Sequence, residues 1–252
     1  MTSLVQKQFG AAAADYAASQ VHAKGESLAR LVELVEPKPH WRVLDVATGA
    51  GHAALAFAPH VAKVTASDIT EAMLAETKRL ASERGLANVR TARAAAEDLP
   101  FPDTSFDLVT CRLAAHHFRN PVTFVREALR VLMPGGVFAL VDNVSPEDDT
   151  LARAYNGFEK LRDPSHGRCL SLSEWHRLLA DAGFALTYSE VMDQEIAFDP
   201  WVARMRCGDA TATMLRKRLS EAPLNDLLRP HEAGTGLAFR LREAILVARK
   251  PE

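Results

Sequence analysis

The residues best able to do chemistry sit in a glycine turn, at strand ends, and in one histidine pair. The turn is Val43-Leu44-Asp45-Val46-Ala47-Thr48-Gly49-Ala50-Gly51-His52, with a β-like run before it and an Ala-rich helical stretch after it. Glycines there let the backbone bend tightly and come close to a ligand, and Gly49-x-Gly51-x-x-Ala54 satisfies the relaxed dinucleotide fingerprint. Asp45 narrows the choice of ligand. A carboxylate at the end of the first strand repels a phosphate and suits an ammonium or sulfonium group. S-adenosylmethionine carries both cations, whereas NAD carries neither beside its phosphates. Asp68 follows Gly51 at about the twenty-residue interval of an acid that accepts ribose hydroxyls. It reads as an exposed strand-end carboxylate. Ile69 and Met73 are placed to cover an adenine face or to pack a helix start. His116, His117 and Asp142 follow later strands and are the candidates for moving a proton. An imidazole with an ordinary pKa near 6.5 suits proton removal at neutral pH. His117 is the first choice, with Asp142 orienting its ring or holding the acceptor.

These residues need strand ends to hold them, and the chain supplies the strands in order. Short apolar runs at 42–46, 61–67, 88–92, 106–111 and 137–141 alternate with helical stretches, among them 70–83 and 121–132. Such β-α alternation implies an α/β, doubly wound and mostly parallel sheet, because parallel neighbours need helical crossovers. Met133-Pro134-Gly135-Gly136 supplies a turn. Helices are expected over 147–161 and 173–182, the latter with Ser173 as N-cap and Gly183 beyond its end. Further strands fall at 185–191 and 244–249. The intervening 199–236 reads as a largely helical insertion.

In order along the chain, VLDVATGAGH, ASDIT, AEDLPFPDTSFDLVTCR, AAHHF and RVLMPGGVFALVDN resemble the class I S-adenosylmethionine-dependent methyltransferases. The resemblance is to the small-molecule, type 11 branch that holds the ubiquinone/menaquinone methyltransferases. It covers about residues 41–143 and implies a Rossmann-like seven-stranded sheet with the last strand antiparallel. It also implies S-adenosylmethionine as cofactor, S-adenosylhomocysteine as product and a small-molecule methyl acceptor. By the same resemblance Asp45, Ala47, Gly49 and Gly51 form the cofactor loop, and Asp68 is the ribose acid. Ala96 and Glu97 pass the adenine, Arg112 approaches the methionine moiety, and Phe9-Gly10…Tyr16 belongs to a leading helix that folds over the cofactor. The chain departs from many relatives twice. Ala47 replaces a glycine, which is tolerated if its φ stays negative, and Ala95 replaces an aspartate that contacts the adenine amino group.

Composition sets outer bounds. The 252 residues carry 30 Lys+Arg against 32 Asp+Glu, a net charge of −2 that offers no basic face for nucleic acid. The Arg216-Lys217-Arg218 run reads as a solvated helix face. Cys111, Cys169 and Cys207 lack CxxC spacing, so no metal site or disulfide framework is expected, and a reducing cytoplasm is. No apolar run approaches a membrane span. The expected organisation is a single domain over 1–252: cap helices in 1–40, the cofactor core in 41–143, and lid insertions at 144–172 and 199–236. Arg162-Asp163-Pro164-Ser165-His166 is expected to line the substrate pocket. The alternatives are an NAD(P)-dependent oxidoreductase and a non-catalytic protein binding the same cofactor. The acceptor, the methylated atom and the oligomeric state are not encoded in readable motifs.

Overall fold

In the computed structural model, residues 3–17, 25–234 and 236–252 are described. Two helices lead, α1 (Leu4–Ala17) and α2 (Glu26–Val35). The core then alternates β1 (Arg42–Val46), α3 (His52–Phe57), β2 (Lys63–Asp68), α4 (Glu71–Glu83), β3 (Val89–Arg93), β4 (Phe106–Arg112), α5 (Pro121–Val131) and β5 (Leu132–Asn143). After α6 (Asp149–Arg162) and α7 (Leu172–Ala182) comes the long strand β6 (Ala185–Ala197). Short helices α8 (Phe198–Arg204), α9 (Asp209–Leu219) and α10 (Leu224–Leu228) lead to β7 (His231–Ala233) and β8 (Gly236–Arg249).

The strands form one sheet in the order β3-β2-β1-β4-β5-β8-β6. From β3 to β5 every pairing is parallel, and β8 enters antiparallel between β5 and β6. The mostly parallel, doubly wound expectation therefore holds, with one addition. A short β7 pairs with the start of β8, from His231↔Ala238 to Ala233↔Gly236, and makes an eighth strand. Alternation along the strands sends side chains to two buried layers. Leu44, Val46, Val109 and Phe138 meet Phe124, Val125 and Leu179 of α5 and α7 on one face. Val43, Val64, Leu108 and Val141 meet Leu31, Ala54 and Phe57 of α2 and α3 on the other. A further cluster joins Tyr155 and Phe158 of α6 to Trp201, Leu215, Leu224 and Phe239.

Several boundaries differ from the sequence reading. The 133–136 segment is absorbed into β5, where the register with β4 shifts between Phe106 and Leu108. Strands β6 and β8 extend well beyond 185–191 and 244–249, because their outer halves pair with each other through Ala197↔Ala238. The N-cap of α7 is Ser171, not Ser173. Its hydroxyl accepts from the Glu174 N–H at 3.3 Å, while Glu174 accepts from the Ser171 N–H at 2.8 Å. That reciprocal pair is a capping box. Ser171→Ala should therefore destabilise the protein by about 1 kcal/mol, lowering the thermal midpoint by about 2–4 °C. Calorimetric unfolding checks this, with Ser173→Ala as the milder comparison.

Candidate active site

The parallel strands end on the same side of the sheet, and their ends carry the predicted residues. Asp45 closes β1 with 1% exposure. It accepts the Thr48 hydroxyl and, at 3.1 Å, the Ala54 N–H, so one carboxylate grips both arms of the glycine turn. The Thr48 N–H reaches across to the Ser67 carbonyl of β2 at 2.8 Å. Asp68 closes β2 and is buried, not exposed. Its two oxygens accept the Gly49 N–H at 2.9 Å and the Thr70 N–H at 2.8 Å.

Three turn residues take positive φ: Ala47 at 52°, Gly49 at 55° and Gly51 at 89°. The condition placed on Ala47, a negative φ, is not met; this alanine adopts the left-handed conformation that glycine takes most readily. The two glycines have different reasons. A Cβ at Gly49 would meet no atom within 4 Å, so the open space there belongs to the cavity. A Cβ at Gly51 would come 2.7 Å from Thr77 Cγ2, so this glycine admits α4. Thr77, which the motifs do not flag, donates to the Gly49 carbonyl at 2.9 Å and ties the turn to that helix.

The turn, α1 and the loops after β3 and β4 enclose a cavity of about 430 Å³. That volume lies within the 300–1,000 Å³ range of small-molecule pockets. Asp45, Ala47, Gly49, Asp68, Ile69, Met73, Ala96, Glu97, Arg112 and His117 all line it. Gly51 stands behind the wall, and the side chain of Tyr16 lies outside the described residues. Glu97 has another task as well, accepting the Arg119 N–H at 2.9 Å. Gln6 and Phe9 of α1 close the cavity, and Gln6 Nε2 donates to the Ile69 carbonyl at 3.0 Å. Gln6 carries no motif; only the helix contact shows its place.

Electrostatics set the two acids and the arginine apart from surface groups. Burial pushes the Asp45 carboxyl up to about 7, against the opposing hydrogen bonds from Thr48 and Ala54 and the charge of Arg112. Burial also raises Asp68, opposed by the Thr70 and Gly49 amides. The Arg112 guanidinium is lowered by burial, with Glu243 and Asp45 pulling the other way.

The histidines divide differently from the sequence expectation. Asp142, at the end of β5, holds His116 and not His117. One oxygen lies 2.6 Å from His116 Nδ1 and the other accepts the His116 backbone N–H at 2.8 Å. Neither His116 nor Asp142 appears among the residues that line the cavity. Burial lowers the His116 pKa, but the adjacent Asp142 carboxylate outweighs it and the net shift is upward. His117 faces the cavity and meets Phe9 edge-on with ring centroids 5.0 Å apart. Burial, then the charge of His116, holds it well below the usual imidazole range. The 162–166 segment is not pocket lining. Asp163, Ser165 and His166 are buried and are not among the residues that line the cavity; Ser165 lies beside His117 Nδ1 and Asp163 3.8 Å from its Nε2.

Residues 44–140 match the family described as a methyltransferase domain. Over 189 residues the chain is 43% identical to the uncharacterized methyltransferase YcgJ of Bacillus subtilis, an alignment covering 75% of each protein. The chain belongs to the methyltransferase family. This methyltransferase is also 33% identical over 156 residues to the ubiquinone/menaquinone biosynthesis C-methyltransferase UbiE of Pseudomonas entomophila, across 60% of the chain and 61% of that protein. Its fold matches the crystal structure of YcgJ with a TM-score of 0.85 and 36% identity, covering 90% of this chain and 98% of that one. The BH2331 protein of Bacillus halodurans matches at 0.86 with 39% identity, over 90% of this chain and all of the other. Membership sets aside the oxidoreductase alternative. No helix among the described residues is long and apolar enough to cross a membrane.

The upward shift of Asp45 has a sign that can be measured. Its unfolded pKa is about 3.9 and its folded value about 7. The stability it contributes is complete below pH 4, is lost as pH rises toward 7, and is constant above. Asp45→Asn keeps an acceptor for Thr48 and Ala54 but does not ionise. The variant's thermal midpoint, relative to wild type, should climb between pH 4 and pH 7 by about 5 °C or more and then level off. A flat difference across that window would show that Asp45 ionises normally.

Proposed function

We propose that this methyltransferase transfers a methyl group from S-adenosylmethionine to a small-molecule acceptor, with His117 removing the acceptor's proton. The observation that carries the cofactor assignment is Asp45 Oδ1. It is buried beside the cavity, and no hydrogen-bond partner for it exists among the described residues. An orphaned carboxylate oxygen next to an open glycine turn suits a cationic amino acid moiety and repels a pyrophosphate.

The other residues fit the same group. A carboxylate offers about four lone-pair positions, and the two amides on Asp68 leave room for ribose hydroxyls. Ile69 and Met73 offer apolar surface for an adenine, with the 94–97 loop opposite. Ala95 brings no side-chain acceptor there, so backbone groups of Ala96 and Glu97 would read the adenine edge. Arg112 would lie near the methionine moiety. The bound cofactor supplies an electrophilic methyl carbon on a sulfonium. The chain's task is then to align the acceptor, exclude water and handle one proton.

His117 suits the last task because it faces the cavity and stays neutral, with its neighbour carrying the charge. His116 and Asp142 act through it, fixing the turn and opposing a second positive charge. Two imidazoles in contact with pKa values driven apart is a pattern that separates proton acceptor from charge holder. The cavity's volume and the net charge of −2 support a small acceptor. Similarity to a C-methyltransferase supports a phenol or carbon acid, groups that start protonated and need a base.

Calorimetry should show binding of S-adenosylhomocysteine and none of NAD. Asp68→Ala should weaken the former about 10- to 100-fold, as loss of charge-assisted hydrogen bonds costs about 1.5–3 kcal/mol. It should also lower the thermal midpoint, because two loop amides lose their acceptor. Unchanged affinity would remove Asp68 from the site. For His117→Ala, label transfer from methyl-labelled cofactor into a fractionated small-molecule extract should fall about 10²- to 10⁴-fold at nearly constant cofactor affinity. Full transfer by that variant would assign catalysis to alignment alone.

A further inference from the structure

Arg112 closes β4, lines the cavity and reaches toward α2, where its Nη2 donates to the Ser27 hydroxyl at 3.4 Å. Ser27 is 1% exposed, and its single hydroxyl proton goes to the carboxylate of Glu243 on β8. Donation therefore runs one way, from guanidinium to hydroxyl to carboxylate. The sheet explains why these residues meet. Arg112 pairs with Val141, and Val141 pairs with Ile245. Glu243 lies two residues from Ile245, so alternation puts it on the same face as Arg112.

Glu243 is 5% exposed and is not among the residues that line the cavity. Its Oε2 is buried with no hydrogen-bond partner among the described residues. Such a group is costly to keep unless its charge acts on a nearby cation. Arg112 is that cation. Burial favours a neutral guanidine, and Glu243, ahead of Asp45, opposes it. Asp45 pairs with Thr110 across β1 and β4, so it too shares the face of Arg112, two residues along. One face of the cavity wall thus presents a carboxylate with an unpartnered Oδ1 and a guanidinium from the adjacent strand. Together they complement a group that carries an ammonium and a carboxylate on one carbon.

We propose that Glu243 is the positioning residue of Arg112: through Ser27 it orients the guanidinium that receives the carboxylate of the cofactor's methionine end, while Asp45 takes the ammonium. The inference rests on the S-adenosylmethionine reading. A guanidinium is a rigid planar fork, so holding Nη2 sets the direction of its other donors. Ser27 and Glu243 both lie outside the 44–140 stretch that matches the methyltransferase domain. The amino acid subsite therefore depends on α2 docking against the sheet beside β8, and not on the glycine-loop core alone.

Calorimetry on the full chain tests this with two nucleosides, S-adenosylhomocysteine and methylthioadenosine, which lacks the amino acid end. Glu243→Gln keeps the side chain's size and removes its charge. It should weaken S-adenosylhomocysteine about tenfold or more, the scale of a lost charge-assisted hydrogen bond, and leave methylthioadenosine nearly unchanged. Glu243→Asp should recover part of the loss. With Arg112→Met already in place, Glu243→Gln should cost nothing further, because no guanidinium is left to orient. If Glu243→Gln fails to fold, Ser27→Ala breaks the same link and should show the same selective loss. Equal weakening of both nucleosides, unchanged S-adenosylhomocysteine affinity, or additive losses in the double variant would overturn the proposal. Binding of neither nucleoside by wild type would instead refute the cofactor reading on which it stands.

Discussion

The cavity exists because two buried carboxylates on neighbouring strands hold a turn that would otherwise unwind. Residues with left-handed backbone at 47, 49 and 51 cost conformational energy, about 1–2 kcal/mol for the alanine. Asp45 and Asp68 offset this by accepting from Thr48, Gly49, Thr70 and Ala54, donors that a free turn would leave to water. The parallel register that pairs Asp45 with Ala66 and Val46 with Ser67 brings the two strand ends level. Without that register each acid would reach only its own loop. Burial raises both pKa values and the turn's own hydrogen bonds oppose that rise, so the interaction that shapes the turn also favours the charged form of each acid.

The far side of the site is governed by a different cluster. Helix α6 packs through Tyr155 and Phe158 on Trp201 and Phe239, with the Phe158 and Trp201 rings stacked at 5.3 Å. At its last residue, the Arg162 guanidinium lies 4.5 Å from the Trp201 ring centroid. That contact pins the end of α6 where the chain turns into Asp163 and Ser165. A segment outside the glycine-loop core thereby supplies the polar groups behind His117. The helices between β6 and β7 thus bear on the surroundings of His117 through packing, without lining the cavity.

Much of this was legible in the sequence, where the signal was local. Glycine spacing gave the turn, the interval to Asp68 gave the second acid, and β-α alternation gave the parallel sheet. The failures came where tertiary contacts decide. Ala47 looked compatible with ordinary backbone, but hydrogen bonds on both sides of it impose a positive φ. Ser173 reads as the cap of its helix, but Glu174 selects the serine three residues before it, Ser171. β6 is polar along much of its length, so its pairing with β8 had no periodic signature. Gln6 and Thr77 bear on the site by touching backbone carbonyls, which no residue pattern announces.

Adjacent histidines pose the sharpest case of this limit. His116 and His117 are identical in type and neighbours in sequence, yet the turn at Ala115–His117 is a 3₁₀ helix. With three residues per turn, successive side chains diverge by about 120°. One ring is therefore delivered to the carboxylate at the end of β5, and the other to the cavity wall and the 163–165 turn. Their ring centroids remain 4.2 Å apart. At that distance the two charges cannot be independent: a proton held by His116 through Asp142 raises the cost of protonating His117. The divergence of a single turn thus gives two residues of one type opposite surroundings, which shift His116 upward and His117 downward.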